Sequence, residues 1–534
     1  MINFLAKRKI SLWTFNALLS TYIVVFLNFP VFYKIVSISY DFAAIFGALL
    51  FCFIYTCLSF LSIPFIYKPI LTLILIGSAS AQYFMLKYGI VIDSLMIENV
   101  WETDFRESME LITPNMVLMI LMTGVLPAAL IYRININYPR KTTELLKYAL
   151  SVAICGVIMM ALLFFEFKTF ASVFRNHRDI VHRIIPNNFV NAIYQNIILL
   201  YPEEKGNFTP SASSKNEEWS GHKRRSVFVF VVGETARAEN FSLNGYERET
   251  NPELKALNVI NYSDVHSCGT STAASLPCIF SSLDRKNIAK DKIKHSDNLL
   301  NLIENSGIEV LWIDNNSGCK GVCDSKTTIN TDRIFLDKAG QEIYDESMLG
   351  VLEDYMTKNQ DRDLFVVLHQ KGSHGPAYYL RTPESFHYFK PICKTAELQQ
   401  CSPQSIVNSY DNTILYTDYF LAKLISSLEQ RKEINTAMLY VSDHGESLGE
   451  NGIYLHGMPY MIAPKNQKHV PMIAWLSDNY LNDFKINKNC VAAKRNDAFS
   501  HDNIFHSILD ALKIQTKALD LNASIFHKCL QKPD

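Results

Sequence analysis

Ser226-Val-Phe-Val-Phe-Val-Val-Gly-Glu234 decides how the second part of this 534-residue chain is read. An unbroken run of β-branched and aromatic residues has no polar face to offer water, so it predicts a strand buried on both sides. Runs of the same kind recur at 308–313, 364–368, 437–441 and 472–476, with helical segments between them, most clearly 409–431. That alternation predicts an α/β domain with a doubly wound, mostly parallel sheet. Polar groups follow the ends of the runs: Glu234 after the first, Asp314, Asn315 and Asn316 after the second, His369 and His374 after the third, Asp443 and His444 after the fourth. Ligands of open α/β sheets bind at the carboxyl ends of the strands, so these groups are expected to line one edge.

Between the first two runs lies Ser267-Cys-Gly-Thr-Ser-Thr-Ala-Ala-Ser-Leu-Pro-Cys278, a hydroxyl-rich stretch passing into a small-residue segment compatible with a helix. Thr272 is the candidate nucleophile. A threonine hydroxyl is weak at neutral pH and needs a base or a metal ion. No base is near in sequence, whereas Glu234, Asp443 and His444 offer metal ligands at a distance. Zn²⁺ takes nitrogen and oxygen donors in a tetrahedron, and these three with Thr272 make four. A helix beginning near Thr272 would also turn backbone N–H groups toward a phosphate.

The charge of −1 gives no case for nucleic acid. The hydrophobic content of 49%, with 33 Phe and 26 Tyr, is high for a soluble enzyme. It is concentrated before residue 167. Spanning a bilayer takes about 20 apolar residues, and stretches at 11–33, 42–67, 70–88, 116–132 and 146–165 meet that need. Lys7, Arg8 and Lys9 precede the first, and no small-residue cleavage site follows it, so it reads as an uncleaved anchor. Those residues, Lys68, Arg133, Arg140, Lys141 and Lys147 mark the inner side by the positive-inside rule. The acidic loop with Asp93, Glu98, Glu102, Asp104, Glu107 and Glu110 then lies outside, and five spans deliver the rest of the chain there too. The expected division is a five-helix transmembrane domain (1–167), interfacial amphipathic helices and a linker (168–225), and an external catalytic domain (226–534).

Of 11 cysteines, Cys52, Cys57 and Cys155 lie in the apolar spans. The remaining eight, an even set in an oxidising compartment, suggest disulfides. Cys268 with Cys278, Cys319 with Cys323 and Cys393 with Cys401 are local pairs, which leaves Cys490 and Cys529. His374 and His456 sit in Gly-rich loops, where they bind phosphate, give a proton to a leaving group, or ligate a second metal. Glu446 hydrogen-bonds a ligand, completes a second metal site, or charges the first turn of a following helix. His501 and His506 are assigned to a helix start and its packing.

Gly233-Glu-Thr-Ala-Arg-Ala-Glu-Asn-Phe-Ser-Leu-Asn-Gly-Tyr246, Cys268-Gly-Thr-Ser-Thr272, Asp314-Asn-Asn-Ser317, Ser373-His-Gly-Pro376 and Ser442-Asp-His-Gly-Glu-Ser447 resemble the lipid A phosphoethanolamine transferases, which include the mobile colistin-resistance enzymes. The resemblance covers nearly the whole chain. It implies an alkaline-phosphatase-like domain facing the periplasm on a five-helix inner-membrane anchor, with Glu234, Thr272, Asp443 and His444 on a catalytic zinc. It places His374 and His456 at the substrate phosphate or a second zinc, Asn99, Thr103 and Glu107 at the ethanolamine head group, and Ser317 and Lys320 at a further head-group or phosphate contact. Spacing of four predicts that the first three share one helix face. Phosphatidylethanolamine is the implied donor and lipid A the implied acceptor, and the chain is expected to act as a monomer among membrane lipids. A sulfatase of the same superfamily would need a Cys/Ser-x-Pro-x-Arg site, and neither Cys268 nor Cys278 has that context. A phosphatase, transfer to another envelope glycan, and phosphoglycerol transfer are the other readings.

Overall fold

The computed structural model describes residues 9–103, 105–139, 141–200, 212–216, 219, 224–287, 296–331, 334 and 343–529. Lys7, Arg8, Asp104, Arg140 and most of the expected linker 203–225 lie outside the described residues. The chain forms two compact units, residues 1–97 with 112–200 and residues 98–111 with 201–534. Residues 98–111, drawn with the membrane part from the sequence, thus belong to the second unit.

In the first unit, Tyr40–Phe60, Tyr67–Tyr88, Pro114–Arg133 and Thr142–Phe165 are long and apolar enough to cross a membrane. Leu12–Leu27 and Phe29–Val36, a bent pair meeting at 61°, are together long and apolar enough and make a fifth span if the two count as one. The break sits at Asn28, whose backbone leaves the helical region just before Pro30. Its side chain is fully employed there: Nδ2 donates to the carbonyls of Ile23 and Ile185, and Oδ1 accepts from the Ile185 N–H. A helix bends where proline removes a donor and a side chain takes over the freed groups. The stretch expected to continue to Tyr67 ends instead at Phe60, ahead of Pro64, and Tyr67 begins the next helix. Residues expected to form interfacial helices form Phe167–Asn176, a 3₁₀ segment Arg178–Arg183, and Asn187–Leu200.

The second unit is built on a seven-stranded sheet: β1 (Ser226–Gly233), β2 (Ile260–Tyr262), β3 (Glu309–Asp314), β4 (Thr327–Asn330), β5 (Leu364–His369), β6 (Asn435–Ser442) and β7 (Met472–Leu476), in the order β2-β7-β6-β1-β5-β3-β4. The β6-β1, β1-β5, β5-β3 and β3-β4 pairings are parallel, and β7 is antiparallel to both β6 and β2. The sheet is therefore mixed at one edge. β1 is buried along its whole length. Its alternate residues serve two cores: Phe228, Phe230 and Val232 pack with helices α1 (Thr272–Ile279), α2 (Leu299–Asn305) and α5 (Ile504–Ala511), while Val227, Val229 and Val231 pack with α3 (Ser347–Lys358) and α4 (Pro403–Glu429). This is why its sequence shows no polar alternation. β2 and β4 escape the sequence reading because they are three or four residues long and β4 is partly exposed. α4 begins six residues earlier than its apolar pattern suggests, since the Ser402 side chain caps it ahead of Pro403.

Four disulfides close the second unit: Cys268–Cys278, Cys319–Cys323, Cys393–Cys401 and Cys490–Cys529. The last spans 39 residues and ties the end of the described chain to Lys488–Ala493, the second helix after β7. Loop-closure entropy grows with loop length, giving about 4 kcal/mol for that bridge and about 2 kcal/mol for Cys319–Cys323. Replacing Cys490 and Cys529 by Ser is therefore expected to lower the thermal midpoint more than replacing Cys319 and Cys323, as read by scanning calorimetry; the opposite order would show that loop length does not govern these bridges.

Candidate active site

β1 ends at Gly233 and β6 at Ser442, which are register partners, so the next residues, Glu234 and Asp443, leave neighbouring strands at the same height. Asp443 N–H donates to the Gly233 carbonyl, and its Oδ1 accepts from Thr235 N–H. Thr235 takes a left-handed backbone (φ 52°) to make this turn. After His444, Gly445 passes so close to Asn466 that a Cβ would sit 2.0 Å from its carbonyl oxygen, which admits only glycine.

Glu234, Asp443 and His444 are all buried, and one donor atom from each lies within 4.8 Å of the others. His444 Nε2 is 3.3 Å from Glu234 Oε1 and 3.4 Å from Asp443 Oδ2, and those two oxygens accept no hydrogen bond. The other ring nitrogen, Nδ1, lies 2.9 Å from the Gly445 carbonyl and donates to it, which turns Nε2 toward the carboxylates. Thr272, first residue of α1 after the Ser271 cap, completes the group. Its hydroxyl donates to Glu234 Oε2 at 3.0 Å and lies 3.5 Å from His444 Nε2.

Burial opposes ionisation of Glu234, but the close approach and charge of His444 outweigh it and hold the carboxyl well below the usual range. Asp443 goes the other way: burial, then repulsion from Glu234, push it up to about 6. For His444 burial disfavours the cation, yet the two carboxylates raise it to about 10. The two buried acids thus face one imidazole, and the shift of each group is set largely by the others. Buried carboxylate oxygens without hydrogen bonds, beside an imidazole whose far nitrogen is tied down, form the donor set that a divalent metal cofactor requires. The other acidic and thiol cluster, Cys268, Cys278 and Asp502, is not comparable, since both sulfurs are in a disulfide.

The remaining predicted residues surround this centre. Asn316 Nδ2 donates to Glu234 Oε2 at 2.7 Å and to the Gln370 carbonyl, and lies 3.2 Å from His369 Nε2. His369, paired with Asp314 at 3.3 Å, is fully buried behind it. The His456 ring packs 4.4 Å from His444 and 5.3 Å from His374, centre to centre. His374 has its pKa well below the ordinary value through burial, reinforced by His456, Arg381 and Lys371 against the charge of Glu234. Glu446 is not in a helix: a short strand, Ser447–Leu448, follows it. Its Oε2 accepts from His456 Nδ1 at 2.8 Å and its Oε1 from the Tyr378 hydroxyl at 2.7 Å, so it orients His456.

Lys320 Nζ donates to the Ser317 carbonyl and hydroxyl and to the Glu102 carbonyl, each at 3.2 Å, inside the loop closed by Cys319–Cys323. Asn99, Thr103 and Glu107 do not share one helix. Asn99 belongs to Ser94–Glu102, Thr103 follows its end and donates to the Asn99 carbonyl, and Glu107 falls in Phe105–Leu111. Its side chain lies outside the described residues.

Two positioning groups were not flagged from the sequence. Asp345 accepts from the Lys371 and Gly372 N–H groups and from Asn315, fixing the loop that carries His374. Gly372 has φ +49°, and a Cβ there would meet the Glu234 carbonyl at 2.7 Å. His501, assigned to a helix start, also bridges the loops that carry Thr272 and Asp443: Nδ1 accepts from Cys268 N–H at 3.1 Å and Nε2 donates to the Ser442 carbonyl at 3.0 Å. Nothing in sequence spacing marks either residue. Burial pushes His501 down to about 3, below its ordinary 6.5. A base whose folded value is depressed contributes stability that is complete above the unfolded value and fades as pH falls toward the folded one. Relative to a His501→Gln variant, the protein is expected to lose about 1.4 kcal/mol per pH unit below pH ~6.5. Thermal melts at pH 7.5 and 5.5 check this; parallel acid limbs for both proteins would contradict it.

Residues 50–199 match the family model for phosphoethanolamine transferase EptA/EptB, and residues 226–514 match that of the sulfatases. Phosphoethanolamine transferase EptA of Escherichia coli (strain K12) is 40% identical over 474 residues, 86% of this chain and 85% of that protein. Phosphatidylethanolamine transferase Mcr-1 of Escherichia coli is 39% identical over 446 residues, 81% of each. The structure of the integral membrane protein lipooligosaccharide phosphoethanolamine transferase A from Neisseria meningitidis superposes with a TM-score of 0.92 at 35% identity, covering 98% of this chain and 100% of that one. With a membrane unit and a catalytic-type sheet that both match over their length, this chain is a multi-pass membrane protein belonging to the phosphoethanolamine transferase family.

Proposed function

We propose that the chain transfers phosphoethanolamine from phosphatidylethanolamine to lipid A by way of an ester on Thr272, with zinc as the cofactor. The observation that carries this reading is the position of the Thr272 hydroxyl, at the start of α1 and within 3.5 Å of both Glu234 and His444. Glu234, Asp443, His444 and Thr272 would hold the ion, which when bound stabilises a threonine alkoxide and draws electron density from the phosphoryl group. In the first step Thr272 Oγ1 bonds to phosphorus as the bond from phosphorus to the glyceryl oxygen breaks, and diacylglycerol leaves. In the second, a lipid A phosphate or hydroxyl oxygen takes the phosphoethanolamine and frees Thr272. The N–H groups at the start of α1 face the phosphate. His374 and His456 contact its oxygens, and His456, held through Nδ1 by Glu446, hands a proton to the departing oxygen. Asn99, Thr103 and Glu107 receive the ethanolamine head group, and Ser317 and Lys320 make a further head-group or phosphate contact; the Lys320 bond to the Glu102 backbone links the two segments that carry them.

Residues 1–167 would anchor the protein in the inner membrane, 168–225 lie at the interface and join, and 226–534 work in the periplasm as a monomer. An anchored enzyme fits two lipid substrates. A sulfatase reading lacks its nucleophile, since Thr272 is followed by Ala273, Ala274 and Ser275. Each cationic amine added to lipid A would lower its negative charge and weaken cationic peptides such as polymyxins.

Mass spectrometry of lipid A from cells expressing the chain is expected to find lipid A carrying one added phosphoethanolamine. Thr272→Ala is expected to reduce that species by about 10³-fold or more; an unchanged yield would sink the covalent route. Label from phosphatidylethanolamine should reach lipid A rather than appear as free phosphoethanolamine, the product of a hydrolase. Chelation should stop transfer, and added Zn²⁺ should restore it, whereas turnover in a metal-free preparation would contradict the cofactor assignment.

A further inference from the structure

Beyond His456 the chain runs along the loop that leads into Thr272. Gly457 N–H donates to the Thr270 carbonyl, Thr270 Oγ1 donates to the Met458 carbonyl at 2.6 Å, and the Tyr460 hydroxyl donates to the Ser267 carbonyl at 2.9 Å. Tyr460 is thereby fixed beside the nucleophile loop. Two cations sit over its ring, the Arg285 guanidinium at 4.1 Å and the Lys468 ammonium at 5.1 Å from the centroid. Lys468 Nζ also donates to the Tyr460 carbonyl at 3.3 Å.

Like charges over one ring repel, and a folded protein normally sets a carboxylate between them. Among the described residues no carboxylate lies within ion-pair distance of either side chain. Asp502 is near Arg285 and feels its charge, but its Oδ1 accepts from the Arg285 backbone N–H and the two side chains form no ion pair. Tyr460 is not the counter-ion, because burial pushes its phenol up and keeps it neutral. Burial and the charge of Arg285 lower Lys468, which marks how closely the cations are held. The ring quadrupole steadies each cation and leaves their outward N–H groups free for an anion. A guanidinium and an ammonium that, among the described residues, make no ion pair suit the oxygens of a phosphate. Met461, next in sequence, is 77% exposed and gives the spot an apolar margin suited to a lipid.

We propose that Arg285 and Lys468, over the Tyr460 ring, form an anion subsite that grips a phosphate of the acceptor glycolipid other than the group being modified. This rests on the acceptor reading above and deepens it: the residues around Thr272 handle the transferred group, and this cluster sets the acceptor's register. An acceptor that keeps its second phosphate is held, and one that has lost it is a poor substrate.

The test uses the full-length, zinc-loaded chain in mixed micelles, with labelled phosphatidylethanolamine as donor and lipid A carrying two phosphates or one as acceptor. Arg285→Gln and Lys468→Gln are each expected to raise the acceptor KM about tenfold, with diacylglycerol release from donor alone within about twofold of wild type. Arg285→Lys should keep most of the affinity. Wild type should show the same rise in KM with the monophosphorylated acceptor, and the variants should lose the distinction between the two lipids. Equal wild-type KM for both acceptors, variants with unchanged acceptor KM, or a raised donor KM would overturn the subsite. Competition by millimolar inorganic phosphate as strong as that of lipid A would overturn its assignment to a lipid. If the wild type releases diacylglycerol but labels neither acceptor, the acceptor reading itself falls, a result distinct from transfer that ignores both substitutions. Thermal midpoints within a few degrees of wild type separate loss of recognition from loss of fold.

Discussion

Two carboxylates buried side by side are the constraint on which the second unit turns. Glu234 and Asp443 leave adjacent parallel strands at the same register, and neither can reach water. Two like charges in that position repel, and the protein answers by setting His444 between them and raising it to about 10. The answer is incomplete, since Asp443 still rises to about 6 and one oxygen of each acid accepts no hydrogen bond. Such an arrangement is tolerable in a stable fold when a cation belongs there.

The surroundings follow from holding that centre in place. β1 and β6 must be buried on both faces to carry their ends into the interior, hence the apolar runs and the two cores. Asn316 braces Glu234 from one side, and the loop fixed by Asp345 presses on its backbone from another. His501 pins the turn before Thr272 to the end of β6, tying together the loops that carry Thr272 and Asp443. Glu446, itself held by Tyr378, does for His456 what the Gly445 carbonyl does for His444, fixing one ring nitrogen and with it the orientation of the ring. On the proposed route, rigidity of this kind would let Thr272 do work that a free threonine hydroxyl cannot.

Sequence made the sheet legible where strands are long and buried on both sides. The runs at β1, β3, β5, β6 and β7 announce themselves, and their polar successors locate the active edge. Short strands such as β2 and β4 carry too few residues to show a pattern, and the antiparallel course of β7 is set by tertiary pairing rather than composition. The residues proposed as metal ligands and nucleophile were legible because they follow strand ends or begin a helix. Asp345 and His501 were not, since each acts through backbone groups of loops remote in sequence. The helix face expected for Asn99, Thr103 and Glu107 assumed a continuous helix, and the helix ends at Glu102. Likewise Asn28 looks like one polar residue in an apolar span until its side chain is seen replacing backbone partners at the bend.

The central claim is that the Thr272 oxygen becomes bonded to phosphorus. Its most direct measurement is the intact mass of the zinc-loaded protein after incubation with phosphatidylethanolamine and no acceptor, followed by peptide mapping. The account predicts one phosphoethanolamine on the peptide containing Thr272, removed when lipid A is added. An unmodified protein that still releases diacylglycerol, or an adduct on another residue, would contradict it.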